Sequence, residues 1–279
     1  MATGPSTQGT FPVLIEQLTI IGGYGKNDER EPVDEVTLEM GDVVSIVGPT
    51  GSGKTTLISD LEVFANDNTP SRRRLLINGA PPPPELKDDP SRNPIARITQ
   101  HTNFLSDLPV ERFLTTHARI RQSGRIESIV EETLEFANQL TGEAIELDSA
   151  MTELSGGQTR AMLIADAVII GNSPIILLDE IENAGIHRTK ALDLLKHYKK
   201  IFIFVTHDPR IALLSVFRIV MKNGAMQKVI VTESEELQVA EEIKKLDDLL
   251  TDFRNNIRAG DQLSVQLLED RLRALGYIV

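Results

Sequence analysis

Gly48-Pro49-Thr50-Gly51-Ser52-Gly53-Lys54-Thr55, here called the phosphate loop, fits the pattern G-x-x-x-x-G-K-[ST] at every fixed position. A short apolar strand at 42–47 precedes it, and a predicted helix from Lys54 to about Asn66 follows it. Glycines let the backbone close around an anion, and the helix adds the positive end of its dipole. Lys54 can reach the β- and γ-phosphates, the Thr55 hydroxyl can ligate Mg²⁺, and Thr56 can add a phosphate hydrogen bond. The pattern predicts binding of a nucleoside triphosphate, whereas a glycine-rich turn without a ligand is the less favoured interpretation.

Composition and charge exclude several other classes of function. The chain has 279 residues, a formal net charge of −12, 4% aromatic residues and no cysteine. Cysteine-based catalysis, disulfides and zinc–cysteine sites are therefore ruled out, and a site whose main task is to bind nucleic acid is disfavoured. The first ten residues lack the features of a secretory signal, and the apolar runs are far shorter than a membrane span. We expect a cytoplasmic protein without direct membrane insertion, which can meet the membrane face through a partner.

Short apolar strands alternate with helical segments along most of the chain, which predicts an α/β fold. The strands are predicted at 11–21, 36–40, 42–47, 75–79, 175–178, 201–205 and 218–221, and an irregular proline-rich loop at 80–93. Residues 106–153 are helical in pattern and carry a net charge of −6. Residues 233–279 show helical spacing of leucines with a break at Gly260 and a net charge of −5. We therefore expect one domain over 1–232 and an appended C-terminal hairpin over 233–279.

Polar residues follow two of these apolar strands. Asp179 and Glu180 come directly after the strand predicted at 175–178, and Asp179 lies 125 residues after Lys54. His207 follows the strand predicted at 201–205. Because parallel strands deliver their carboxyl ends to one sheet edge, Asp179 can hold Mg²⁺ and Glu180 can orient or deprotonate the attacking water. His207 can contact the γ-phosphate, although a lone histidine at a strand end is more often an ordinary surface residue.

A second glycine-containing helix start lies at Leu154-Ser155-Gly156-Gly157-Gln158, here called the signature segment. A helix is predicted from Gln158 to Ile170, so its amino end offers another place for an anion. One nucleotide needs only one phosphate loop, and the second helix start is explained if it faces the nucleotide of another subunit.

Together these motifs resemble the ATP-binding cassette (ABC) ATPases over roughly residues 11–232. The set comprises the phosphate loop, Gln100 in Ile98-Thr99-Gln100-His101, the signature segment, Ile175 to Glu180, and Val205-Thr206-His207. The resemblance implies a P-loop NTPase of ABC type with a mixed sheet, an antiparallel β portion near the N-terminus, and an inserted helical lobe at about 101–158. It implies an ATPase that works as a head-to-tail dimer, with two ATP molecules held between the phosphate loop of one subunit and the signature segment of the other. It further implies that Gln100 touches Mg²⁺ and that Tyr24 stacks on adenine, although a tyrosine in a glycine-rich turn is also common at surfaces.

Two segments depart from the family pattern. Asn183-Ala184-Gly185-Ile186 stands where the family commonly has Ser-Ala-Leu-Asp, and Ile186 cannot make the polar contacts of an aspartate across the dimer. Val216-Phe217-Arg218 stands where a small residue followed by aspartate is usual. Neither change removes a group that hydrolysis needs, so we expect an active ATPase.

The task of the ATPase stays open among three classes at this point. The favoured one is the energising subunit of a membrane transporter with a separate transmembrane partner, because the helical lobe is too short for a coiled coil. The alternative is a soluble ATPase that remodels or activates a partner protein. A DNA-repair or ribosome-associated role is least favoured, since it usually requires a long coiled coil or two cassettes. In each case the two acidic regions predict a partner with a basic face, while the hairpin can also serve to pack the dimer or cover a lobe.

Overall fold

The computed structural model describes residues 14–88, 93–122, 125–179, 191 and 194–278. Glu180, the segment 183–186 and the first residues of the predicted strand at 11–21 lie outside this description. The described chain forms two compact units, and the boundary falls between Val231 and Thr232.

The described residues of the first unit form two sheets. In chain order the strands are β1 (Gln17–Ile21), β2 (Glu35–Glu39), β3 (Val43–Val47), β4 (Arg74–Ile77), β5 (Ile95–Thr99), β6 (Ile175–Asp179), β7 (Ile201–Val205), β8 (Phe217–Lys222) and β9 (Ala225–Val231). A three-stranded antiparallel sheet has the order β2-β1-β4, and a six-stranded sheet has the order β5-β6-β7-β3-β8-β9. The first five strands of the larger sheet are parallel, and β9 pairs antiparallel with β8. The predicted mixed sheet with an antiparallel β portion is thus confirmed.

Helices of the first unit follow the loops between these strands. Those that lie wholly within the described residues are α1 (Lys54–Glu62), α2 (Pro84–Asp88), α3 (Val110–Arg121), α4 (Ile126–Leu140), α5 (Gly156–Ala165) and α6 (Pro209–Leu214). A π-helical turn, Asp166–Ile170, continues α5. The segments α3 and α4 lie within the predicted helical lobe, and α5 begins inside the signature segment.

Alternate residues of the central strands enter two different hydrophobic clusters. In β6, Ile176 and Leu178 pack with α3, α4 and α5, whereas Ile175 and Leu177 pack with α1 and the three-stranded sheet. In β7 the two phenylalanines join the first cluster and the isoleucines join the second. Strands that are covered on both faces read as continuous apolar runs, which is the pattern that the sequence shows.

Several predicted boundaries are wrong. The first strand begins at Gln17, and α1 ends at Glu62 rather than near Asn66, because the chain turns at Phe64 with φ of 48°. The proline-rich loop contains α2, whose Leu86 is buried. The helix after the signature segment begins at Gly156 rather than Gln158, and neither β5 nor β9 was predicted.

The second unit consists of α7 (Ser234–Ala259) and α8 (Val265–Ala274), with a left-handed residue, Gly260, between them. The Tyr277 hydroxyl donates to Oε2 of Glu242 at 2.7 Å, so the end of the chain returns to the first half of α7. None of the helices in the described ranges has both the length and the apolar character needed to cross a bilayer.

A buried lysine lies where β7 begins. Lys200 is 6% exposed, and its Nζ donates to Oδ1 of Asn172 at 2.8 Å and to the Ser173 carbonyl at 3.0 Å. Burial lowers the pKa of Lys200 to about 8. This site is at the amino ends of β6 and β7, opposite the sheet edge considered next.

Candidate ATP-binding site

Four neighbouring strands end in residues that the motifs single out. Along the order β5-β6-β7-β3, the carboxyl ends lead to Gln100, Asp179, His207 and the phosphate loop. Since these strands are parallel, the four groups lie along one edge of the sheet. The fold thus brings together residues that are separated by up to about 160 positions in sequence.

The phosphate loop is held against the turn between β8 and β9. Gly53 caps the start of α1 with φ of 100°, and a Cβ placed on it would lie 2.6 Å from the Gly224 Cα. The Gly224 amide donates to the Ser52 carbonyl at 2.8 Å. A side chain at position 53 would therefore push the loop away from this turn, and the glycine is required by close approach as well as by backbone conformation.

Lys54 and His207 are brought together by the pairing of β3 with β7. The Lys54 side chain is buried, and its Nζ donates to the carbonyls of Gly48 at 2.7 Å and Pro49 at 3.2 Å. His207 Nε2 lies 3.3 Å from the same Nζ. The ammonium group is therefore fixed inside the curve of the loop, where it can meet a phosphate.

The carboxylates of Asp179 and of Glu62, in α1, are bound by the same arginine. Arg97, in β5, donates to Oδ2 of Asp179 at 3.2 Å and to Oε2 of Glu62 at 2.7 Å. The three groups predicted to hold a metal, Thr55, Gln100 and Asp179, offer a hydroxyl, an amide and one carboxylate. All are oxygen donors, and Mg²⁺ in nucleotide sites typically takes one or two carboxylates with substrate phosphates, so the residues present fit this ion. Within the described ranges there is no cluster of three acidic or histidine side chains that would compete for a cation.

The signature segment forms a complete capping box at the start of α5. The Ser155 hydroxyl accepts from the Gln158 amide at 3.3 Å, and Oε1 of Gln158 accepts from the Ser155 amide at 2.9 Å. Arg160 donates to the Gly156 carbonyl at 2.6 Å and also to the Gln100 carbonyl. Because Ser155 and Gly156 are exposed, the helix start is open to another molecule while Arg160 ties it to Gln100.

Tyr24 lies in the loop after β1. Its amide donates to the Ser71 carbonyl at 2.7 Å, and the guanidinium of Arg72 is 5.3 Å from its ring centroid. The ring is partly exposed. The partly exposed ring therefore has a face that can stack on a base.

Three further residues of this site were missed at the sequence level: Lys26, Arg97 and Arg160. Lys26 Nζ donates to the Gly51 carbonyl of the phosphate loop at 3.1 Å. The local pattern around Arg97 is a single charge between Ala96 and Ile98, but β5 itself was not predicted, so this pattern was not used. Glu180, the predicted base, lies outside the described residues, as does the departure at 183–186.

A protein-family model described as ABC transporter matches residues 34–183. The chain belongs to the ABC transporter family. It is 50% identical to an uncharacterized ABC transporter ATP-binding protein of Methanocaldococcus jannaschii, over 90% of this chain and 95% of that protein. It is 27% identical to a putative 2-aminoethylphosphonate import ATP-binding protein, PhnT, of Salmonella paratyphi A, over 81% of this chain. A spermidine/putrescine import ATP-binding protein, PotA, of Bacteroides fragilis is 30% identical over 72% of this chain. The chain spans 60% of that PhnT and 44% of that PotA.

Solved structures of ABC proteins share the fold. CbiO1 of Clostridium perfringens, part of an ABC transporter complex, gives a TM-score of 0.59 at 21% identity, covering 85% of this chain and 100% of that one. A dimeric ATP-binding cassette bound to ADP and phosphate gives 0.55 at 22% identity, covering 78% of this chain and 99% of that one. The predicted P-loop fold of ABC type is confirmed. As a member of this family the chain binds ATP and is an ATP hydrolase, and ABC ATPase domains occur as dimers and partner with transmembrane subunits.

Proposed function

We propose that this ABC protein hydrolyses MgATP at the interface of a head-to-tail homodimer and thereby energises a membrane transporter through a separate transmembrane subunit. The observation that carries the proposal is the shared sheet edge, where Lys54 Nζ lies 3.3 Å from His207 Nε2. The import ATP-binding proteins among the relatives support the transport role and do not favour the alternative of a soluble remodelling ATPase.

Each predicted site residue receives a role in this proposal. The phosphate loop and Thr56 bind the phosphates through backbone amides, hydroxyls and Lys54, and Tyr24 stacks on the adenine. Thr55, Gln100 and Asp179 would hold Mg²⁺, which neutralises phosphate charge when bound. The signature segment of the partner subunit closes over the γ-phosphate with its exposed helix start.

Hydrolysis needs a proton acceptor for the attacking water. The water oxygen forms a bond to the γ-phosphorus, the bond from that phosphorus to the ADP oxygen breaks, and Glu180 takes the proton from the water. His207 contacts the γ-phosphate, and its position beside Lys54 supports this role.

Two variants test the chemistry. Glu180→Gln is expected to abolish turnover and to trap an ATP-bound dimer, measured by phosphate release and by size-exclusion chromatography with ATP. Lys54→Met is expected to lose ATP binding, and the matched control Lys199→Met, an exposed lysine in another loop, should bind as wild type. Wild-type turnover by Glu180→Gln would remove Glu180 from its role.

The transport role is tested in membranes. Tagged wild-type protein is purified from detergent-solubilised membranes of its own cells, and we expect a multi-span membrane protein in stoichiometric amount. Reconstituting that pair in vesicles should give ATP-dependent solute movement that Glu180→Gln lacks. Stoichiometric recovery of partners without membrane spans would contradict the transport role and leave the ATPase chemistry standing.

A further inference from the structure

A buried charge cluster lies beneath the nucleotide site, around Arg73. This residue is the middle one of three consecutive arginines, and its side chain is fully buried between exposed Arg72 and Arg74. It makes a two-pronged contact with Glu31, through Nε at 3.1 Å and Nη2 at 2.6 Å. Nη1 donates to Oδ2 of Asp60 at 2.7 Å.

The cluster is satisfied by backbone groups as well as by opposite charges. Glu31 also accepts from the amides of Gly23 at 2.8 Å and Met226 at 2.5 Å. Burial by itself lowers the pKa of Arg73, but hydrogen bonds and attraction from Glu31 and Asp60 outweigh it and raise the pKa above its ordinary value. The arginine is therefore permanently charged, and its fork fixes the geometry of both carboxylates.

One branch of the cluster leads to the phosphate loop. Nη2 of Arg73 donates to the Gly224 carbonyl at 2.8 Å, and the amide of the same Gly224 donates to the Ser52 carbonyl at 2.8 Å. Arg73 thus holds the turn against which the phosphate loop packs.

A second branch leads to the proposed base-binding end. Glu31 fixes the Gly23 amide, the residue before Tyr24, and Tyr24 donates its own amide to the Ser71 carbonyl, two residues before Arg73. Asp60 adds α1, the helix that begins at the phosphate loop, and accepts from the Ser71 hydroxyl at 2.8 Å. Arg73, Glu31 and Asp60 therefore bind the segments that hold the phosphate loop and those that hold Tyr24.

We propose that Arg73 is a positioning residue for ATP: it holds the phosphate loop and Tyr24 at the separation that one bound nucleotide requires. This rests on the proposed roles of the phosphate loop and Tyr24. A merely neutralising cation would need no particular shape, whereas a positioning residue must reach Glu31, Asp60 and the Gly224 carbonyl together. Lysine keeps the positive charge but lacks the branched guanidinium group, so Arg73→Lys distinguishes a neutralising role from a positioning role.

The test compares ATP affinity in the full chain, by displacement of a fluorescent ATP analogue, well below the unfolding midpoint of each variant. Arg73→Lys is expected to weaken ATP binding about tenfold or more, while Arg74→Met, at the exposed neighbour, stays within about twofold of wild type. Tyr24→Ala should cost less affinity in the Arg73→Lys background than in wild type, because Tyr24 is then already displaced. A purely structural role would give a lower unfolding midpoint with unchanged affinity below it.

Two outcomes overturn the proposal: affinity of Arg73→Lys within about twofold of Arg74→Met, or additive effects of the Arg73 and Tyr24 changes. Should Arg73→Lys fail to fold, Gly224→Ala tests the first branch without changing a buried charge. The added Cβ would lie 3.0 Å from the Lys26 amide nitrogen, so the turn that contains Gly224 must shift. Wild-type affinity in Gly224→Ala would then refute the link to the phosphate loop. Lys54→Met serves as reference, because ATP binding unchanged by that variant would refute the proposed site itself.

Discussion

The buried Lys200 makes the stability of the first unit depend on alkaline pH in a predictable direction. Its pKa falls from an ordinary 10.5 to about 8 on burial. The unfolded chain therefore binds more protons than the folded one between these values, so stability must rise as pH rises through that window. Conversely, this contribution is lost as pH falls through the folded pKa. The neutral amine still carries two N–H groups, enough for both Asn172 and Ser173.

The size of the effect follows from the two pKa values. The gap between 10.5 and about 8 corresponds to about 3 kcal/mol in full. Most of this, about 2.5 kcal/mol, falls between pH 7 and pH 10. Such a change is a large part of the 5–15 kcal/mol that domains typically have, so it is measurable.

The assay is urea unfolding followed by far-ultraviolet circular dichroism at pH 7, 8, 9 and 10. Wild type and Lys199→Met, the exposed neighbour, should share the rise in stability, and Lys200→Met should lack it. Wild type and Lys200→Met differ only at position 200, so the comparison isolates Lys200. A slope with pH in Lys200→Met equal to that of wild type would refute the assignment of the effect to this burial.

Three further predictions concern the site and its surroundings. Without nucleotide, Gly51→Ala should lower the free energy of unfolding by about 1–2 kcal/mol, because alanine disfavours the left-handed backbone at this position. Gly53→Ala should lower it by about 1–3 kcal/mol more, because the added Cβ also collides with Gly224. Equal losses for the two variants in urea titrations would contradict the packing argument. Ser155→Ala should cost about 1 kcal/mol by removing the cap of α5, and Ser155→Asp, which can still cap, should restore stability in thermal melts but not turnover. A chain ending at residue 232 should bind ATP with an affinity within about twofold of the full chain, because every proposed nucleotide contact of one subunit lies in the first unit. A large loss of affinity in the displacement assay would contradict this and show that the site needs the C-terminal hairpin.

Much of the site was predictable because its residues come as local patterns. An apolar strand that leads to a polar residue, as 175–178 leads to Asp179 and 201–205 leads to His207, predicts both the strand and the sheet edge at which that polar residue lies. The signature segment likewise predicts a helix start within five residues, although its capping box places the first helical residue at Gly156 rather than Gln158. These features need no knowledge of distant contacts.

What was missed depends on tertiary contacts. Three consecutive arginines are ordinarily a solvated run, and nothing local marks Arg73 as the one that is buried against Glu31, 42 positions earlier. The early end of α1 is set by a left-handed Phe64 that is fully buried, so packing overrides the helical pattern there. The helix α2 was hidden by prolines, although proline is well tolerated in the first turn.

The position of β3 in the sheet has a consequence for the order in which this chain folds. The strand that carries the phosphate loop pairs only with β7 and β8 within the described sheet, and Val43 pairs with Phe202. A chain leaving the ribosome must therefore extend beyond residue 205 before this strand gains its first neighbour. Closing such long loops is slow, so nucleotide binding should be among the last properties acquired during synthesis. Until then an apolar strand lacks its sheet partners, and nascent chains that end between β3 and β7 are the ones most in need of a chaperone.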